Sequence, residues 1–84
     1  MNSKDTFDNV VKPKLAEVFG TFMGNAISSQ AYLKAFQEIA KGNTNGMDTY
    51  TLVIEIICSA EQTIAMWGEN GAQKQKEEWL SNIN

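Results

Sequence analysis

The residues that could do chemistry in this sequence are ten carboxylates, seven lysines, one cysteine and a pair of adjacent serines. The chain has no histidine, so a Ser-His-Asp or Cys-His arrangement cannot form within it, and Cys58 and Ser28-Ser29 lack a base to activate them. It also has no arginine, which excludes bidentate clamping of phosphate. We therefore predict that this protein is not an enzyme and has no catalytic residue, cofactor or metal.

The carboxylates do not form a convergent acid–base pair. Glu77 and Glu78 point about 100° apart if they lie on a helix, so they cannot act on one substrate atom together. Glu55 interrupts an apolar run, and a solvated polar strip or a contact with a partner both explain it. Segments 42–46 and 68–71 are rich in glycine and asparagine but lack the ligands of a calcium loop and the spacing of a phosphate loop. We interpret both as turns.

Composition limits the environment and the partners. A single cysteine fits a reducing compartment, and the polar N-terminus does not have the basic and apolar regions of a secretory signal. The seven lysines are scattered and outnumbered, so the net charge is −3 and no basic patch for nucleic acid is expected. No apolar run approaches the roughly 18 residues that span a bilayer. We expect a cytoplasmic protein that contacts neither nucleic acid nor membrane directly.

Apolar spacing indicates the elements that must position these residues. Steps of three and four residues recur along most of the chain, which is typical of amphipathic helices. We predict an all-α fold, a small four-helix bundle in which residues 1–84 form a single helical domain. The helices are expected at about 6–23, 29–41, 49–67 and 71–82.

Local signals define the first two helices. Pro13 predicts either a kinked first helix from about Thr6 or a start delayed to about Asn9. Gly24 is a natural stop, and Ser28 is a candidate cap for the second helix. The second helix is expected to turn its larger apolar residues inward, namely Tyr32, Leu33, Phe36, Ile39 and Ala40.

The second half of the chain contains one ambiguous segment. Residues 50–58 are dense in β-branched side chains and would suit a strand, but the apolar pattern continues to Gly68, which favours a helix. Asp48 is a candidate cap for it. We predict the central helix here, followed by a last helix that packs by its C-terminal half, including Trp79.

Size, charge and helical organisation resemble those of small inhibitors made by bacteria and phages, such as colicin-type immunity proteins and anti-CRISPR proteins. One stretch is similar to the helix–turn–helix opening of the helical immunity proteins that neutralise tRNA-cleaving colicins, and it reads Phe22-x-Gly24-x-x-Ile27-Ser28-x-x-x-Tyr32-Leu33-x-x-Phe36. The resemblance assigns no functional residue. It implies a protein that blocks a larger nucleic-acid-processing protein or ribonucleoprotein with a basic surface.

Two binding hypotheses follow. In the first, exposed acidic and aromatic residues contact a larger basic partner, and the candidates are Glu55, Glu61, Glu69, Glu77, Glu78 and Trp79. In the second, the chain is a homodimeric structural or regulatory protein that shares the edge formed by Trp79, Leu80 and Ile83, with the apolar arc of the third helix. Both Trp67 and Trp79 could instead fill the core of the bundle.

Overall fold

The computed structural model describes residues 1–84 and contains only helices and their connections. Helix α1 covers residues 3–19, α2 spans Thr21–Lys41, α3 spans Thr49–Ser59 and α4 spans Glu61–Leu80. The predicted all-α four-helix bundle is confirmed. The boundaries differ from the predicted ones at the start of α1, at the first corner, at Ala60 and at both ends of the last helical stretch.

Helix α1 passes through Pro13. It begins after Asn2, whose side chain accepts a hydrogen bond of 2.8 Å from the N–H of Asp5. In its middle, the N–H of Lys12 donates to the carbonyl of Phe7, five residues back, which defines a π-helical turn. This wider turn lies next to the point where Pro13 cannot donate a hydrogen bond, so the helix continues and does not start late. The three segments of α1 are Ser3–Thr6 (α), Phe7–Val11 (π) and Lys12–Phe19 (α).

The first corner lies at Gly20, so the predicted end of helix one at 23 and start of helix two at 29 are wrong. Gly20 has φ 87° and ψ 158°, a conformation that ends α1 and lets α2 begin at Thr21. Gly24 lies inside α2, where an added Cβ would come within 3.0 Å of the backbone of Leu15 and Ala16. Its role is close helix packing, and Ser28 is a buried residue within the helix, not its cap.

The signals around the next loop behave as the sequence predicts. Gly42 adopts the left-handed conformation, and its N–H and that of Asn43 bond back to the carbonyls of Ile39 and Glu38. Asp48 caps α3 by accepting a hydrogen bond of 2.9 Å from the N–H of Thr51. Residues 50–58 are helical, which confirms the interpretation based on length.

The predicted helix 49–67 is two helices. The backbone becomes extended at Ala60, with φ −68° and ψ 146°, so α3 ends at Ser59 and α4 begins at Glu61. Helix α4 bends at Gly68, which has φ 74° and ψ 168°. The last helical stretch therefore starts directly after this bend, earlier than the predicted position 71, and ends at Leu80 instead of 82.

Helix α2 turns most of its predicted inner side toward solvent, although Ile39 packs partly buried against the core. Its buried residues are small or β-branched, and Leu33 and Phe36, which were expected in the core, are 60% and 53% exposed. The interior combines residues of all four helices, with Trp79 and Leu15 among its largest side chains. The core cluster consists of Phe7, Val11, Leu15, Ile27, Ala31, Ala35, Leu52, Val53, Ile54, Ile57, Cys58 and Trp79.

The exposed apolar residues are not a sign of loose packing. The accessible surface is 5052 Å² for a mass of 9.3 kDa, and a folded monomer of this mass is expected to expose about 5,000 Å².

The two ends of the chain are hydrogen-bonded to each other. The N-terminal amine donates to the carbonyl of Asn82 at 2.9 Å, and the N–H of Asn84 donates to the carbonyl of Met1. None of the helices combines the length and the apolar character that crossing a bilayer requires.

Candidate protein-binding surface

The most unusual surface of the molecule lies along helix α2. Six uncharged residues recur at steps of four and three residues, and all are exposed except the half-buried Ala26. Phe22 is 87% exposed, which is rare for an aromatic side chain in a monomer. We call this surface the α2 face, and it consists of Phe22, Ala26, Ser29, Leu33, Phe36 and Ala40.

Helix α2 carries a second set of small and apolar residues on its other side. At 100° per residue, the centres of the two sets lie about 180° apart around the axis. The inward set packs against α1 and α3 and consists of Gly24, Ile27, Ser28, Ala31 and Ala35. Because small residues permit close approach of helix backbones, the small side faces the core and the side with the larger residues faces solvent.

The α2 face has no charge. The three charged residues of the helix, Lys34, Glu38 and Lys41, lie near its C-terminal end and on one side of the face. Tyr32 borders the other side, where its ring packs 5.2 Å from that of Phe36 and 6.1 Å from that of Tyr50, measured between centroids. The aromatic border is thereby fixed to the body of the molecule through α3.

The exposed apolar area is large for a small protein. Phe22 is 87% and Phe36 53% exposed, which amounts to about 280 Å² for these two if a phenylalanine side chain covers about 200 Å². Leu33 adds to this area. The patch reaches the range in which exposed apolar surfaces of monomers are often functional.

Trp79 does not lie on the surface. It is 2% exposed, belongs to the core cluster and packs edge-on against Trp67 at 6.2 Å between ring centroids. Leu80 and Ile83 are partly buried against the same cluster. Of the two tryptophans, Trp79 lies in the core and Trp67 packs partly buried against it. The edge predicted for a homodimer therefore has one fully buried and two partly buried residues.

Glu55 pairs with a lysine of another helix. Its carboxylate lies 3.6 Å from the Nζ of Lys76 on α4, and both side chains are partly buried. Cys58 lies close by, and burial raises its pKa to about 12, although the positive charge of Lys76 acts in the opposite direction. A thiol of this kind is not a nucleophile at neutral pH.

The remaining predicted carboxylates all lie on α4 but do not converge. Glu61 borders a groove with Lys34, whereas Glu69 borders a groove with Cys58 and Lys76. Glu78 lies beside a third groove, lined by α1, and Glu77 accepts a hydrogen bond of 3.2 Å from the side chain of Gln73. None of the four forms an ion pair with a lysine.

No three acidic or cysteine side chains are placed so that they could hold a metal ion. The α2 face was missed by the sequence analysis because its large residues were assigned to the core. The signal that could have revealed it is the regular series of steps from Phe22 to Ala40, alongside a complete second face of small residues.

Comparison with protein-family models, curated proteins and solved structures finds no match to this chain.

Proposed function

We propose that this protein acts by binding another protein chain through the α2 face, and that it is not an enzyme. The observation that carries the proposal is the exposure of Phe22, Leu33 and Phe36 on a helix whose other side is already packed. Burying apolar area on association is favourable by about 25 cal/mol per Å² before the cost of association is subtracted. Aromatic residues on a rigid helix are common anchors of protein interfaces.

A pair of variants tests this proposal. Leu33→Glu combined with Phe36→Glu places two carboxylates on the α2 face, whereas Lys34→Glu changes charge at a neighbouring position outside it. Each chain is used as bait in a lysate of the source cells, after circular dichroism has shown that it folds. The proposal requires that wild type and Lys34→Glu retain the same bound protein and that the double variant loses it. Equal retention by all three baits would contradict it.

The charge of α4 supports a second candidate, an inhibitor, immunity or anti-defence protein that blocks a larger nucleic-acid-processing partner. Helix α4 has four glutamates and two lysines, so it accounts for −2 of the net charge of −3. Unpaired carboxylates attract a basic surface over several ångströms and speed its association at low salt. If the protein is such an inhibitor, the basic partner contacts the carboxylates of α4, namely Glu61, Glu69, Glu77 and Glu78, and the α2 face has another role.

The two candidates differ in their response to salt and to charge reversal. If α4 makes the contact, Glu77→Lys combined with Glu78→Lys will release the captured protein, and binding will weaken steeply as salt rises. If the α2 face makes the contact, the same variant will retain it and salt will have little effect. A captured nuclease or ribonucleoprotein that is released by this variant would favour the inhibitor over the first proposal.

A further inference from the structure

We infer that the partner of the α2 face is a second copy of this chain, with the two α2 helices antiparallel across a two-fold axis. The inference rests on the proposed function, because it names the occupant of the same surface. It places the homodimer contact on α2 instead of on the edge formed by Trp79, Leu80 and Ile83, where Trp79 is buried in the core and the other two pack partly buried against it.

The spacing of the α2 face is that of a helix–helix seam. Its six positions are separated by four, three, four, three and four residues, which is the alternation of the a and d positions in a heptad repeat. The series extends for about 27 Å along the helix axis, close to the longest dimension of the molecule, 31 Å. A second helix could therefore lie along the whole face.

The order of large and small residues favours an antiparallel partner. When two copies of α2 are aligned so that Phe22 lies opposite the partner's Ala40, Ala26 lies opposite the partner's Phe36 and Ser29 lies opposite the partner's Leu33. Every layer then pairs one large side chain with one small one, and two-fold symmetry repeats each pair. Alternation of large and small residues is what allows facing layers to interdigitate at normal packing density.

A parallel pair does not fit as well. Each residue would lie opposite itself, so two copies of Phe22 and two of Phe36 would crowd their layers while Ala26 and Ser29 would leave gaps. The helix dipoles would also point in the same direction, whereas in an antiparallel pair they are opposed.

Charge also favours a second copy over a basic partner. The positions beside the seam are uncharged, and they are Met23, Asn25, Gln30, Tyr32, Gln37 and Ile39. No like charges therefore meet across the two-fold axis, and no carboxylate is present on the face to attract a basic surface.

The area predicts an association of modest strength. Phe22 and Phe36 of both copies supply about 560 Å², roughly half of the approximately 1,000 Å² that a specific interface should exceed and about a third of the typical 1,600 Å². Leu33, Tyr32 and the flanking amides have to supply the rest. We expect a monomer–dimer equilibrium with a dissociation constant in the micromolar range.

Sedimentation equilibrium tests whether the dimer exists and where it forms. The wild-type mass should rise from 9.3 kDa toward twice this value between micromolar and submillimolar concentrations. Leu33→Glu should remain monomeric because two carboxylates would enter the seam, whereas Lys34→Glu should behave like wild type. A wild-type chain that stays at 9.3 kDa throughout would overturn the inference.

Cross-linking with a short bis-maleimide linker tests the orientation. Gln30→Cys lies beside the two-fold axis and should be linked to its own counterpart, whereas the counterpart of Gln37→Cys lies about 18 Å further along the seam. Gln37→Cys alone should give no dimer but should be linked to Met23→Cys when the two variants are mixed. Wild type is the control, since Cys58 is buried with a pKa of about 12. Self-linkage of Gln37→Cys as efficient as that of Gln30→Cys would overturn the antiparallel arrangement.

Failure of this inference can be separated from failure of the proposed function. If the wild type is monomeric and Leu33→Glu still abolishes capture of a different protein, the α2 face binds that protein. The inference that its partner is a second copy of this chain is then wrong. If the wild type is monomeric and Leu33→Glu changes no interaction, both proposals are wrong.

Discussion

Two substitutions on helix α2, two residues apart, test which side of the helix faces the core. Leu33 is 60% exposed and Ala35 is fully buried. The sequence pattern predicts the reverse for Leu33, because it places the larger apolar residues inside. We therefore propose to compare Leu33→Ala, which removes a large exposed side chain, with Ala35→Leu, which enlarges a small buried one.

The structure determines the expected sizes of the two effects. Complete burial of a leucine side chain is worth about 1.5–3 kcal/mol, and since less than half of Leu33 is buried, Leu33→Ala should cost about 1 kcal/mol or less. Ala35 has no exposed surface, so the added carbons of Ala35→Leu must displace neighbouring helices at a cost of about 1–3 kcal/mol. Ala35→Leu should thus lower the free energy of unfolding more than Leu33→Ala does.

Urea denaturation followed by circular dichroism measures both free energies of unfolding. The protein is kept well below the micromolar dissociation constant expected for the dimer, and the midpoint is checked for independence of concentration, so that self-association does not contribute. If Leu33→Ala instead costs about 2–5 kcal/mol, as for a buried leucine, and Ala35→Leu is neutral, the observed orientation of α2 is wrong.

Three further substitutions test the close crossing of α1 and α2 and the packing of the core. Gly24→Ala should destabilise by about 1–2 kcal/mol although alanine favours helices, because the new Cβ would come within 3.0 Å of the α1 backbone; a rise in the urea midpoint would contradict this close crossing. Thr63→Val should stabilise by about 1 kcal/mol, because the buried Oγ1 of Thr63 has no hydrogen-bond partner; a loss of thermal stability would indicate that the hydroxyl is satisfied in solution. Burial raises the pKa of Cys58 from its usual 9.0 to about 12, so its contribution to stability is complete below pH 9 and is lost as the pH rises toward 12. The wild type should lose about 1.4 kcal/mol per pH unit more than Cys58→Ala in this window, and equal slopes for the two chains would show that the thiol is not protected by the fold.

Several boundaries could be predicted because a single residue determines them. Gly42 ends α2 and Asp48 starts α3, and in each case the required conformation or hydrogen bond belongs to that residue type. The helical assignment of residues 50–58 depended on length, since a strand of that composition would have ended sooner. These features are local, so the sequence contains the information that they need.

Other features depend on tertiary packing and could not be read from the sequence. The break at Ala60 has no glycine or proline nearby, so nothing local distinguishes it from a continuing helix. Gly20 and Gly24 are both plausible stops, and the close approach of α1 determines that Gly24 stays helical. Helix α2 has two apolar sides, and a hydrophobicity pattern selects the side with larger residues although close packing selects the smaller ones.

The candidate carboxylates show a similar division. Glu55 could be recognised from the sequence as an exception in an apolar run, but only the structure reveals its partner Lys76, which lies 3.6 Å away on another helix. Trp79 was open to two interpretations because aromatic residues serve both cores and interfaces. The fold decides between them by burying it.

An isotope-filtered NOE spectrum of a mixture of labelled and unlabelled chains tests the central claim most directly. The antiparallel α2 seam predicts intermolecular cross-peaks from the ring of Phe36 to the methyl group of Ala26, and from the ring of Phe22 to the methyl group of Ala40. Leu33→Glu should remove both. Intermolecular contacts between residues outside helix α2, or no such contacts at concentrations where the wild type sediments as a dimer, would contradict the claim.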